Sequence, residues 1–133
     1  MPEKKSDKNL SPREKAVIVA SWLADKKAKE IVALDVAPFN PICEAMVVAS
    51  AVSVRQAKAL ADHVLAKSGE EGFSYLGMEG YGHGQWVLLD LNDVLVHIFQ
   101  EDLRSFYNIE GLWSEGKPIA LPAPAPKVKT SPE

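Results

Sequence analysis

A chain of 133 residues, 47% of them hydrophobic and 25% charged, has material for one core and not for two. Its formal net charge of −3 excludes a protein that grips DNA or RNA through a generally basic surface, while leaving open a protein partner that itself sits on RNA. One cysteine, Cys43, excludes an internal disulfide and suits a reducing compartment; with no signal-peptide pattern in residues 1–10 and no run near the ~20 apolar residues of a membrane span, the expected location is cytoplasmic.

Residues 1–10 read as a disordered lead. Ser11, Pro12 and Glu14 are a helix start: a capping hydroxyl, a proline suited to the first helical position, and a carboxylate three residues after the cap to complete a capping box. The helix should run to about residue 27. Its apolar stripe, with Val17, Ile18, Trp22 and Leu23, is broad, which suits a helix covered on more than one side by a sheet or by a second subunit. Ile31 to Val36 is short, β-branched and nearly all apolar, a strand covered on both faces. Asp35 is its exception and needs hydrogen-bond donors there. Pro38 and Pro41 make a loop, and Ala45 to Ser50 a second strand.

Ser53 and Gln56 form a second capping box. After it Ala57, Leu60, Ala61, Val64 and Leu65 fall on one helical face, and Gly69 or Gly72 ends the helix. Phe73 to Gly77 offers a third strand. Trp86 to Leu91 and Val94 to Phe99 then read as a hairpin around Asn92 and Asp93, with the turn type open. Glu101 and Asp102 put negative charge on the first turn of a helix that holds Phe106 and Tyr107, with Leu112 and Trp113 at its exit. From Ser114 prolines space out alanines and lysines, a composition that cannot build a core. The chain therefore predicts a lead at 1–10, one α/β domain at 11–114, with a mixed sheet of about five strands and flanking helices, and a disordered tail at 115–133.

No nucleophile and base stand together. His63, His83 and His97 lie on separate elements without metal-ligand spacing, and Cys43 has no evident catalytic partner. A lone histidine in an apolar strand, as His97 is, is more often a hydrogen-bonded structural residue than a ligand. Gly80, Gly82 and Gly84 suggest a phosphate loop, but such loops deliver amides at a helix start, and here a strand follows; the glycines read instead as a flexible loop permitting close approach of a partner. Asp90 either pairs with Arg104 or faces a partner. Arg55, Lys58 and Lys67 read as the solvated face of the second helix.

Lys29 to Val36, Ser53 to Gln56, Ala61 to Val64, Glu79 and Gly80, Trp86 to Asp90, Val96 to Phe99, Arg104 with Phe106 and Tyr107, and Leu112 with Trp113 occur in one order across residues 14–114. In these stretches the chain resembles the ribosomal silencing factor family, also called Iojap-like. Where that family usually has an Asp-Tyr-Phe-type turn this chain has Glu44, Ala45 and Met46, and where it usually has Ser-Gly this chain has Ser50 and Ala51. The resemblance implies a fold related to nucleotidyltransferases without their catalytic motif, hence no enzyme, no cofactor and no metal. It implies binding to the large ribosomal subunit through its universal protein number fourteen, obstruction of small-subunit joining, and repression of translation. It permits a homodimer when free, a role in large-subunit assembly, and a partner surface holding Glu79, Gly80, Trp86, Asp90, Arg104 and Tyr107. The alternative is a divergent nucleotidyltransferase using Asp35 and Asp90 with magnesium.

Overall fold

The start of the first helix forms as its local chemistry dictates. Ser11 Oγ accepts from the Glu14 amide at 3.1 Å, and Glu14 Oε1 accepts from the Ser11 amide at 2.9 Å, a complete capping box. The computed structural model describes residues 10–36, 44–103 and 117–121. In them α1 spans Pro12–Asp25, β1 Lys29–Asp35, β2 Ala45–Ala51, α2 Val54–Glu71, β3 Gly77–Glu79, β4 Trp86–Asp90, β5 Val94–Gln100 and β6 Lys117–Pro118. Residues 101–103 are helical, where Glu101 and Asp102 predicted a helix start.

The strands make one mixed sheet in the order β3-β4-β5-β2-β1-β6. The β2–β5 pair is parallel, because α2 intervenes as a crossover, and the other pairs are antiparallel. The hairpin turns at Asn92 and Asp93, closed by the Leu91 amide on the Val94 carbonyl at 2.9 Å. Asn92 has a positive φ of 80°, and across it the Asp93 amide bonds the Leu91 carbonyl at 3.1 Å, the pattern of a γ-turn.

Four local expectations shift, each for a physical reason. β1 starts earlier than Ile31 because a bulge between Lys29 and Val32, with Glu30 at φ 51°, lets the chain enter the ladder before it straightens. The third strand is not Phe73 to Gly77 but Gly77–Glu79. Phe73 instead closes α2, its amide on the Ser68 carbonyl at 2.9 Å beside the left-handed Gly72, and its ring drops under Trp22 at 5.3 Å. The second capping box is half made: Ser53 Oγ accepts from the Gln56 amide at 3.0 Å, but the Gln56 amide group goes elsewhere. It takes the Val52 amide at 2.7 Å and donates to the Lys26 and Lys27 carbonyls at 3.3 and 3.2 Å, stitching the end of α1 to the start of α2.

The fourth shift concerns the tail. Lys117 and Pro118 add a short sixth strand beside Asp35 and Leu34, and Ile119 is buried in the core, its amide on the Ala33 carbonyl at 2.8 Å. A domain end near Trp113 is therefore too early. A proline is admissible because β6 is an edge strand.

Both faces of the sheet carry buried apolar clusters, a two-sided cover expected for the first strand. On one face Val47, Ala49, Val87, Leu89, Val96 and Ile98 pack with Val19 and Leu23 of α1 and Leu60 and Val64 of α2. On the other, Met46, Val48 and Phe99 cluster with Trp86, and Leu34 and Val36 with Val32 and Leu95. The breadth of the α1 stripe has an internal explanation, since α1 touches β1, β2, β5 and α2. Within that contact lies Lys15, wholly buried: its Nζ is 2.8 Å from the Leu91 carbonyl and 2.8 Å from Asp93 Oδ1, and 5.1 Å from the centre of the Phe73 ring.

Candidate functional site

The loop end of β3 and β4 carries a cavity of about 360 Å³, lined by Glu79, Gly80, His83, Gln85, Trp86 and Leu88. Three of the six residues expected on a partner surface, Glu79, Gly80 and Trp86, are thus brought together. β3 and β4 pair antiparallel with Glu79 opposite Leu88, so the loop between them returns Trp86 beside Glu79.

That loop is tied to its surroundings by several contacts, and its glycines permit a close approach to the chain itself. Gly80 has φ 81°, and a Cβ there would lie 2.1 Å from the Trp86 carbonyl oxygen; Gly84 has φ 68°, and a Cβ there would lie 2.6 Å from the Val54 side chain. The Gly84 amide bonds the Gly80 carbonyl at 3.0 Å, and Gln100 Nε2 donates to the Gly84 carbonyl at 2.8 Å. Tyr81 donates its hydroxyl proton to Asp62 Oδ2 at 3.1 Å; that hydrogen bond, then burial and the Asp62 charge, hold the phenol above its ordinary pKa. Lys58 stands 5.5 Å over the Tyr81 ring, so this part of the α2 face is occupied by the loop and not simply solvated, while Lys67 pairs with Glu70 at 3.2 Å.

Trp86 is half-buried and held from behind. Its ring stacks on Phe99 at 4.8 Å and 27°, and its Nε1–H donates to His97 Nδ1 at 3.1 Å. His97 is hydrogen-bonded structure, as a lone strand histidine suggested. It is 5% exposed, and its Nε2 has no hydrogen-bond partner among the described residues. Burial pushes its pKa down to about 4 from the usual 6.5; accepting the indole proton at Nδ1 favours the neutral ring further.

This shift has a consequence for stability. Between pH 6.5 and about 4 the unfolded chain carries a proton on His97 that the folded chain does not, so stability present above pH 6.5 is lost as the pH falls toward 4. The full loss is about 3 kcal/mol for a shift of this size. Denaturation midpoints at pH 7 and 4.5 check it: His97→Leu should remove most of that pH dependence, and an unchanged pH profile in the variant would contradict the assignment.

Of the remaining expected residues, Asp90 is described and stands apart from this cluster. Asp90 is at the far end of β4, roughly 13 Å along the strand from Trp86, where Oδ1 accepts from the Asn92 amide at 2.9 Å and shapes the turn. Arg104 and Tyr107, and with them the Asp90–Arg104 pairing, lie outside the described residues, as does Cys43. Asp35 does find a donor, Arg13 Nη1 at 3.2 Å. Asp35 and Asp90 sit on β1 and β4, three strand spacings or roughly 14 Å apart, too far to share one magnesium ion. Among the described residues no group of three or more His, Cys, Asp or Glu could hold a metal ion, and no helix is long and apolar enough to cross a membrane.

Sequence reasoning missed His83 and Gln85 as lining residues and the pairing of His97 with Trp86. Directly opposite Trp86 stands Phe99, and His97 is its diagonal neighbour, which only a known register reveals.

The comparisons with known proteins agree with this architecture. The family model described as "Ribosomal silencing factor during starvation" matches residues 9–133. The chain is 43% identical over 96 residues to the protein named ribosomal silencing factor RsfS of Chromobacterium violaceum, covering 72% of this chain and 79% of that one. It is 37% identical over 103 residues to the protein of the same name from Bacillus subtilis, covering 77% and 86%. A crystal structure of a Chromobacterium violaceum protein superposes with a TM-score of 0.77 at 38% identity, covering 89% of this chain and 99% of that one.

Proposed function

This chain belongs to the ribosomal silencing factor family, and from that premise we propose that it docks on the large ribosomal subunit in the cytoplasm, through that subunit's universal protein number fourteen, and sterically prevents the small subunit from joining. The observation that carries the reading is the Trp86 site: a half-exposed indole, fixed from behind by Phe99 and His97, at the mouth of a cavity that Glu79 also lines. A large aromatic held rigid at a concave surface is what an interface anchor requires, because little freedom remains to be lost on binding. The exposed carboxylate of Glu79 would steer encounter with a basic partner more than it adds affinity. Arg104 and Tyr107 are proposed for the same surface. Steric obstruction needs no reaction, so silencing should track occupancy.

The test is co-sedimentation with purified large subunits, followed by addition of small subunits. Wild type should pellet and reduce the joined-ribosome peak. Trp86→Ala should lose about 2 kcal/mol or more, some 30-fold in affinity, and restore joining. Tyr107→Ala should weaken binding as well. Wild type that stays in the supernatant at micromolar concentration would overturn the reading.

A further inference from the structure

We propose that His97 is a positioning residue for docking: through its Nδ1 it locks the Trp86 indole in the orientation presented to the partner. The inference rests on the docking role given to Trp86 above.

Backbone geometry aims the Trp86 Cβ but does not choose among the rotamers of a side chain with two torsions. Among the described residues, two contacts bear on that choice. Stacking on Phe99 restrains the plane of the ring, but a stacked ring can still slide and turn within its plane. The hydrogen bond from Nε1–H to His97 Nδ1 at 3.1 Å removes that freedom, because it is directional and ends on a side chain that is itself packed in the sheet. The unpaired side of His97 points to the same role. With Nδ1 accepting, the ring proton resides on Nε2, and that N–H is buried with no acceptor among the described residues. An orphaned buried donor destabilises a fold, and the neighbouring cluster is Met46, Val48 and Phe99, where an aliphatic residue would carry no such penalty. Histidine at this place is thus the worse choice for the core and the better one for the indole, the pattern expected where a local rule yields to a site.

Three variants separate positioning from packing. His97→Leu removes the acceptor. His97→Asn keeps one, since its Oδ1 falls near the place of Nδ1. Trp86→Phe keeps a stacking ring and removes the donor. In a ¹⁵N–¹H spectrum the Trp86 indole resonance, assigned by its loss in Trp86→Phe, should move and exchange faster with solvent in His97→Leu and stay near the wild-type position in His97→Asn. Affinity for purified large subunits should fall about tenfold in His97→Leu, recover to within about threefold of wild type in His97→Asn, and show no further loss when His97→Leu is added to Trp86→Phe. A folded His97→Leu that binds like wild type would overturn the proposal alone, and so would an equal loss in the Trp86→Phe background, which would mean that His97 acts through the fold and not through the indole. Wild type that fails to bind would overturn the docking reading and this proposal with it, while the indole resonance would still report whether the hydrogen bond exists.

Discussion

Replacing Asp93 by alanine is expected to cost about 3–5 kcal/mol of folding stability, although Asp93 sits in a surface turn. The reason lies on the other side of the contact. Lys15 has 1% of its side chain exposed, and its ammonium is 2.8 Å from Asp93 Oδ1. Removing the carboxylate takes a full negative charge from 2.8 Å away from an ammonium that has almost no access to water. Removing the lysine is a different experiment. In Lys15→Met an apolar chain of similar length fills the same space, and Asp93, with 22% of its side chain exposed, can turn to water. That variant should lose only about 1 kcal/mol. The backbone does not confuse the comparison, because the positive φ of the turn belongs to Asn92. Chemical denaturation of the two variants decides it: a Lys15→Met loss equal to or larger than the Asp93→Ala loss would show that the lysine stem, not the buried charge, matters.

Stopping the chain after Gly116 is expected to lower stability by about 4 kcal/mol. Composition alone would have called this cut harmless. It removes Ile119, which is 6% exposed in the main core, and Leu121, which packs against the same core. It also removes the strand that pairs with Leu34 and Asp35, and so uncovers the outer edge of β1. Unpaired edges recruit other edges. The shortened chain should therefore unfold at lower denaturant and self-associate more in sedimentation. A shortened chain of unchanged stability would mean that residues 117–121 are a passive attachment.

What could be read in the sequence follows the range of the interaction. The Ser11 and Glu14 box and the Asn92–Asp93 turn are complete within a few residues, so their partners were in view. Glu79 and Trp86 were grouped by the family resemblance, and the single loop between them keeps them together in the structure. Asp90 could not be excluded from that group until β4 had a direction, since four residues along a strand carry a side chain from one end of the sheet to the other. Lys15 sits beside Arg13 and Glu14, and nothing local marks it for burial; two of its partners are 76 and 78 residues away. Gln56 was read correctly as a capping residue and wrongly as to what it caps, because the free carbonyls of Lys26 and Lys27 come from another helix. The glycine loop looked mobile for the same reason: what restrains it, Val54, Asp62 and Gln100, lies outside it. In the tail one isoleucine outweighed the average of its surroundings.

The parallel pairing of β2 with β5 also sets a clock on the birth of the protein. All seven residues of β2 are buried in the finished fold, and from Ala45 to Ala51 they pair with Val94 to Gln100. A ribosome adding roughly 5–20 residues per second needs a few seconds to pass from Ala51 to Val94. Throughout that interval β2 has β1 on one side and nothing of its own sheet on the other. The most apolar strand of the molecule is therefore exposed on the nascent chain for seconds, a window in which a chaperone or another sticky chain can reach it. The delay also falls on the Trp86 site, because the His97 and Phe99 that hold the indole arrive with β5. Any slowing of elongation across residues 52–93 should lengthen that window in proportion.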